Sequence, residues 1–213
     1  MRIILLFLVS FFPLYGIAAY GAPPLHCTTT PKIAFSHSYP GRDTIVPSNK
    51  LALPAGKSSY PNGEIVYLSG RVLDENCVPM SDAVIDIWQA DPEGKYVTRT
   101  LGDRMNPYPV FTGSGRAVSD NLGRFNFVTL FPGAYDKRAP HINVHVIHTS
   151  FPALETEMFF LNDWRNRNDE KLVKLPVDSQ TLLMAKVSKR RDKSAIDATW
   201  DIILPGKDAY HHF

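Results

Sequence analysis

Seventeen prolines and thirteen glycines punctuate this chain. Proline stops helices and is excluded from central strands, and glycine marks turns, so many short elements joined by turns are expected and long helices are not. The apolar residues agree. Ile142, Val144 and Val146 alternate with His141, Asn143 and His145, which is the period of a strand. Six candidate strands emerge: Ile65–Leu73, Ala83–Trp88, Arg124–Leu130, 142–147, Thr156–Leu161 and Thr199–Leu204. Only Ser179–Lys189 carries helical spacing, through Leu182, Leu183 and Lys186. Strands without intervening helices predict an all-β, antiparallel, immunoglobulin-like sandwich with at most one short helix.

A length of 213 residues allows one domain, or two small ones, with a core of its own. With 44% hydrophobic and 21% charged residues the chain is expected to be ordered. A net charge of +2 without a basic stripe gives no reason to expect nucleic acid, and Lys189–Lys193 reads as a solvated charged loop. Residues 1–21 have the layout of a secretory signal: Arg2, an apolar run from Ile3 to Phe12, and small residues around Gly16–Gly21. Export and cleavage are expected, against the alternative of a retained anchor, and no membrane association is expected after cleavage. Residues 22–60, rich in Pro, Ser and Thr, read as an extended arm, and 61–213 as the folded domain. Cys27 and Cys77 fall on arm and domain; in an oxidising compartment a disulfide between them is expected, against two unpaired thiols. No P-loop, dinucleotide fingerprint or nucleophile elbow occurs in the sequence, and Gly113-Ser114-Gly115 reads as a turn.

Four segments stand out in order. Trp88-Gln89-Ala90-Asp91 leads to Gly94-Lys95-Tyr96; Ser119–Phe125 forms a turn and strand; Pro132-Gly133-Ala134-Tyr135 precedes Arg138-Ala139-Pro140-His141-Ile142-Asn143; Thr156–Phe160 comes last. This arrangement resembles the intradiol ring-cleavage dioxygenases, the family of protocatechuate 3,4-dioxygenase and catechol 1,2-dioxygenase, over roughly Ile65–Leu204. A departure is Cys77, where the family usually carries glycine.

The resemblance implies a non-haem ferric ion held by two tyrosinates and two histidines, a catechol substrate, O2, and cleavage to a muconate-type diacid. Its ligand positions fall on Tyr96, Tyr135, His141 and, where the second histidine belongs, Asn143. Anionic oxygen ligands suit a hard ferric ion, and a metal at contact distance favours the phenolate. One tyrosinate is implied to leave and help deprotonate the substrate, making Tyr135 a catalytic candidate. Arg138 matches an arginine that stabilises charge on the ring. An amide is a poorer ferric ligand than imidazole, and the His141-Ile142-Asn143 segment resembles the pocket-lining alpha chain of protocatechuate 3,4-dioxygenase. Two substitutes present themselves. Glu157, where catalytic chains commonly carry glutamine, is a candidate hard ligand; His145 lies ~6.6 Å beyond Asn143 on the same strand face. Three readings follow: an exported ferric dioxygenase, an iron-free subunit assembled with a related chain, or a binding module in which the tyrosines only pack. A homo- or hetero-oligomer is compatible with the first two. His148, His211 and His212 read as surface residues and Trp88 as core.

Overall fold

The computed structural model describes residues 26–35, 39–52, 62–97, 110–190 and 195–206. The signal segment, His211, His212 and most of the Lys189–Lys193 run lie outside the described residues. The described chain holds nine strands: β1 (Ile65–Leu73), β2 (Val84–Trp88), β3 (Ser114–Val118), β4 (Arg124–Leu130), β5 (His141–His148), β6 (Phe151–Phe160), β7 (Met184–Lys189), β8 (Ala195–Thr199) and β9 (Ile202–Ile203). Its one α-helix is α1 (Val177–Leu182). The strands run in the order β3-β2-β5-β6-β7-β8-β1-β4, with β9 beside β1. The first four and last four fold toward each other through β7, and both halves contribute to one apolar cluster: Leu68 and Val72 from β1, Ile85 and Ile87 from β2, Phe125 and Phe127 from β4, Val144 from β5, and Ile196 from β8. This is the expected all-β sandwich.

Pairing differs from a purely antiparallel arrangement at three junctions. β1 runs parallel to β8 and to β9, and β6 runs parallel to β7. Parallel neighbours need a long crossover, and the 161–183 segment, with 3-10 turns at Trp164–Asn168 and Leu172–Lys174 and then α1, supplies it between β6 and β7. The helix expected over Ser179–Lys189 therefore stops early. Met184 is the partner of Phe159 and Lys186 of Thr199, so strand pairing on both sides overrides a short amphipathic pattern. Likewise Thr199–Leu204 is not one strand, because its two ends pair with different parts of β1. Gly113-Ser114-Gly115 is the entry to β3.

The described parts of the arm are fastened to the domain. Cys27 and Cys77 form a disulfide with Cα atoms 5.3 Å apart. Thr30 exchanges hydrogen bonds with Ile203, and the Ile33 N–H donates to Glu155 O at 3.0 Å. Leu51 enters the main core, while its N–H donates to Val128 O at 2.8 Å. Ile33, Ala139, Phe159, Leu172 and Leu183 form a second apolar cluster on the other side of the β5–β6 pair. That cover buries the face of β5 that carries His141 and Asn143.

Candidate metal and active centre

Two tight backbone contacts bring the tyrosines together. After β2 the chain turns at Asp91, whose side chain accepts the N–H groups of Glu93 (3.0 Å) and Lys95 (2.9 Å). The Asp91 carbonyl accepts the N–H of Gly94 (3.0 Å) and, from the segment after β4, that of Gly133 (2.8 Å). Gly94 has φ of 82°, and a Cβ there would lie 2.5 Å from Ala134 O; a Cβ on Gly133 would lie 2.4 Å from the Gly94 nitrogen. The two loops thus lie backbone against backbone, which only glycine permits at either position. Ala90 then pairs with Tyr96, and Tyr135 with Arg138, as isolated bridges. Gln89, fully buried, ties the strand ends by donating to Leu130 O (2.9 Å) and accepting from Thr129 (2.7 Å).

The result is a convergent set of donor atoms. The Tyr96 and Tyr135 hydroxyls are 3.3 Å apart, and the Tyr135 hydroxyl is 3.3 Å from His141 Nε2. The tyrosine rings meet edge to face with centroids 5.5 Å apart. Two ligands ~2.1 Å from a common ion and ~90–120° apart stand roughly 3.0–3.6 Å from each other, so these separations suit one shared centre. Among the described residues no group of three or more His, Cys, Asp or Glu could hold a metal; this donor set is two phenols and an imidazole, and the hard phenolic oxygens suit a ferric ion.

Asn143, at the position where the second histidine belongs, lies against Tyr96. Its Nδ2 donates to the Tyr96 hydroxyl (2.9 Å) and to Trp88 O (3.0 Å), while its buried Oδ1 has no hydrogen-bond partner. It is a donor to a neighbouring phenol. Glu157, the candidate replacement ligand, lies against cations. Its carboxylate is the counter-ion of Arg138 and lies 3.3 Å from Lys171 Nζ. His145 sits away from the phenols, edge to face with Tyr39 at a centroid distance of 4.7 Å, and its Nδ1 is unpartnered. Arg138, 3% exposed, lies between Glu157 and Asp169, with its Nε 2.9 Å from Asp169 Oδ2.

Burial dominates the electrostatics. It pushes the Tyr96 phenol well above its ordinary value, Tyr135 adds to that, and the Asn143 amide works in the opposite direction. Burial holds the His141 imidazole below its usual value, against the attraction of Glu157. For Asp169 burial acts upward, but the Leu172 N–H, the Arg138 charge and the Ala139 N–H outweigh it and keep the carboxyl below the usual range. Burial thus disfavours the charged forms of both Tyr96 and His141; a bound trivalent ion would reverse the balance at Tyr96.

Residues 46–206 match the family described as Dioxygenase. The chain belongs to the intradiol ring-cleavage dioxygenase family. It is 31% identical over 152 residues to the protocatechuate 3,4-dioxygenase beta chain of Burkholderia cepacia, covering 67% of this chain and 65% of that protein. It is 30% identical over 120 residues to hydroxyquinol 1,2-dioxygenase of Rhizobium sp., covering 48% of this chain and 39% of that protein. The chain thus spans less than two thirds of the length of these relatives. Among solved structures, the dioxygenase domain of a dioxygenase–carbohydrate-binding fusion from Streptomyces sp. SirexAA-E matches with a TM-score of 0.66 at 26% identity, over 84% of this chain and 99% of that one. The intradiol ring-cleavage dioxygenase of Tetranychus urticae shares the fold, with a TM-score of 0.65 at 18% identity over 84% of this chain and 95% of that one. The similarity to a beta chain contrasts with the alpha-chain-like His141-Ile142-Asn143 segment.

The sequence reading missed Asp169 and Lys171. Both lie in a polar stretch, Asn166–Lys171, in which nothing sets them apart from surface residues. Only the crossover after β6 carries them under Arg138 and Glu157.

Proposed function

We propose that this chain is an exported non-haem ferric dioxygenase that cleaves a catechol or protocatechuate-type ring between its two hydroxylated carbons. The observation that carries this reading is the convergence of Tyr96, Tyr135 and His141 within 3.3 Å contacts. These three side chains would hold the ion, and Asn143 would serve them as a hydrogen-bond donor to Tyr96. When bound, ferric iron supplies chelation of the catecholate and its activation toward O2. The protein's own part is protonic and electrostatic. The Tyr135 oxygen, next to His141 Nε2, accepts a proton from a catechol hydroxyl. The Tyr96 oxygen is held as phenolate with help from the Asn143 N–H. Arg138, fixed by two carboxylates, holds positive charge beside the ring. The product is a muconate-type diacid.

A second reading is favoured by Asn143 alone: an iron-free homologue that lines the pocket of a related, iron-bearing chain. One experiment separates the two. The mature protein, purified from iron-supplemented expression, is assayed for iron, visible absorption and turnover of catechols. The proposal expects stoichiometric iron, a tyrosinate-to-ferric charge-transfer band and ring cleavage. A folded, colourless, iron-free protein, even after reconstitution, overturns it and directs attention to a partner chain.

A further inference from the structure

Asp169 is fully buried, and its carboxylate holds four hydrogen bonds. Oδ1 accepts the N–H groups of Lys171 (3.0 Å) and Leu172 (2.9 Å), closing the turn on which it sits. Oδ2 faces the other way and accepts Arg138 Nε (2.9 Å) and the Ala139 N–H (2.8 Å). A second strap runs beside it, from the Glu170 N–H to Lys137 O at 3.2 Å. One oxygen therefore fixes two consecutive residues, each with a task in the centre. Through Nε it sets the plane of the Arg138 guanidinium, whose outer nitrogens meet Glu157. Through the Ala139 N–H it anchors the residue whose own carbonyl, in the following peptide, lies 2.7 Å from His141 Nδ1. A carbonyl only accepts, so Nδ1 carries the proton of the neutral imidazole and the Nε2 lone pair points at Tyr135.

We propose that Asp169 is a positioning residue of the active centre: it holds Arg138 and Ala139 together, and by anchoring Ala139, whose carbonyl faces Nδ1, it fixes the tautomer of His141. This rests on the dioxygenase reading for its catalytic meaning, but the tautomer itself is a property of the iron-free protein. A structural clamp of the turn alone would need only Oδ1. The second oxygen is aimed across the 30-residue gap in sequence at the segment between the two candidate ligands Tyr135 and His141. Outer partners that orient a ligating histidine commonly change metal affinity or activity by ~10–100-fold when removed.

The test uses Asp169→Asn, which can keep the Oδ1 bonds to Lys171 and Leu172 while turning the other atom into a donor facing two donors. Nitrogen NMR of the imidazoles in the iron-free protein reads the tautomer directly. In the wild type His141 should be protonated on Nδ1; in Asp169→Asn it should lose that single state. In the reconstituted enzyme kcat should fall ~10–100-fold with KM changed far less, while Asp169→Glu, which keeps the charge, restores part of kcat. A wild-type His141 protonated on Nε2 overturns the proposal even if the variant does not fold. So does an Asp169→Asn protein that keeps both the tautomer and kcat. If the wild type shows the Nδ1 tautomer yet cleaves no catechol, the dioxygenase reading fails and the positioning of His141 by Asp169 stands.

Discussion

Over the first half of β5 the two faces are buried almost equally and for opposite reasons. Ile142, Val144 and Val146 enter the apolar core between the two halves of the sandwich, each at most 1% exposed. His141 and Asn143, on the other face, are also at most 1% exposed, under the arm and the crossover after β6. On the first face any apolar side chain of the right volume serves, because burial is non-directional. On the second, every polar atom needs a partner, because an unsatisfied one costs about 1–3 kcal/mol. The first face makes the sandwich; the second makes it specific. The orphaned Asn143 Oδ1 is where that accounting fails to close, and it lies on the side chain that takes the place of an implied ligand.

The comparison is broken most severely at Arg138. Its charge is shared between Glu157 and Asp169, neither of them solvent-accessible. Arg138→Ala removes the guanidinium that pairs two buried carboxylates, and losing one member of a buried ion network costs about 3–5 kcal/mol. Chemical denaturation should show that loss, together with loss of activity. A stability within 1 kcal/mol of the wild type, as an order of magnitude for a surface change, would mean that water reaches the network and that the second face is not dry.

Neighbouring positions on β5 sharpen the contrast. Asn143→Leu keeps the volume but removes the donor shared by Trp88 O and the Tyr96 hydroxyl; about 1–3 kcal/mol is expected from the loss of these two buried hydrogen bonds, offset in part by loss of the orphaned oxygen. Ile142→Val removes one methylene from the opposite face and should cost about 0.5–1.5 kcal/mol. The two should separate in the Tyr96 ring and hydroxyl resonances of the iron-free protein: Asn143→Leu shifts them and Ile142→Val leaves them unchanged. Equal spectra would mean that the Asn143 N–H does not reach the phenol.

The apolar face of β5 was legible in the sequence, because a period of two needs only hydropathy to be seen. The polar face was read only through resemblance. Alternation alone marks His141, Asn143 and His145 as outward, and nothing local says that another layer will cover them. Tyr96 and Tyr135 were singled out by their motifs, but the reason they meet lies in Gly94 and Gly133, whose backbone approach cannot be inferred from either loop alone. Asp169 was invisible because its partners lie about thirty residues upstream and its neighbours in sequence are all polar. β7 was misread as helix because six residues with a mixed pattern fit either period, and pairing with β6 and β8 decided the matter.

The smallest effect concerns the part of that polar face nearest the arm. Burial holds His145 below its usual value, Lys32 reinforces this, and Glu155 and Asp86 oppose it. Its ring lies against Tyr39 and Phe35, and Tyr39, pushed up to about 12 by burial and by its bond to Asp86, stays a neutral phenol over the same range. In the folded state His145 is therefore the weaker base. Above its unfolded value of ~6.5 neither state carries the proton, and the stability contribution is complete. As pH falls below ~6.5 the unfolded chain takes up the proton first, and stability is lost until the folded value is passed. His145→Phe keeps an aromatic ring against Tyr39 and removes both the titration and the unpartnered Nδ1. Denaturation midpoints measured from mildly alkaline to mildly acidic conditions should fall less steeply for the variant, with the curves converging at the alkaline end after allowance for the removed Nδ1. His141 shifts in the same direction, so a shallower slope must remain. Parallel curves across the whole range would show that water reaches His145 and that the dry part of the face ends at Asn143.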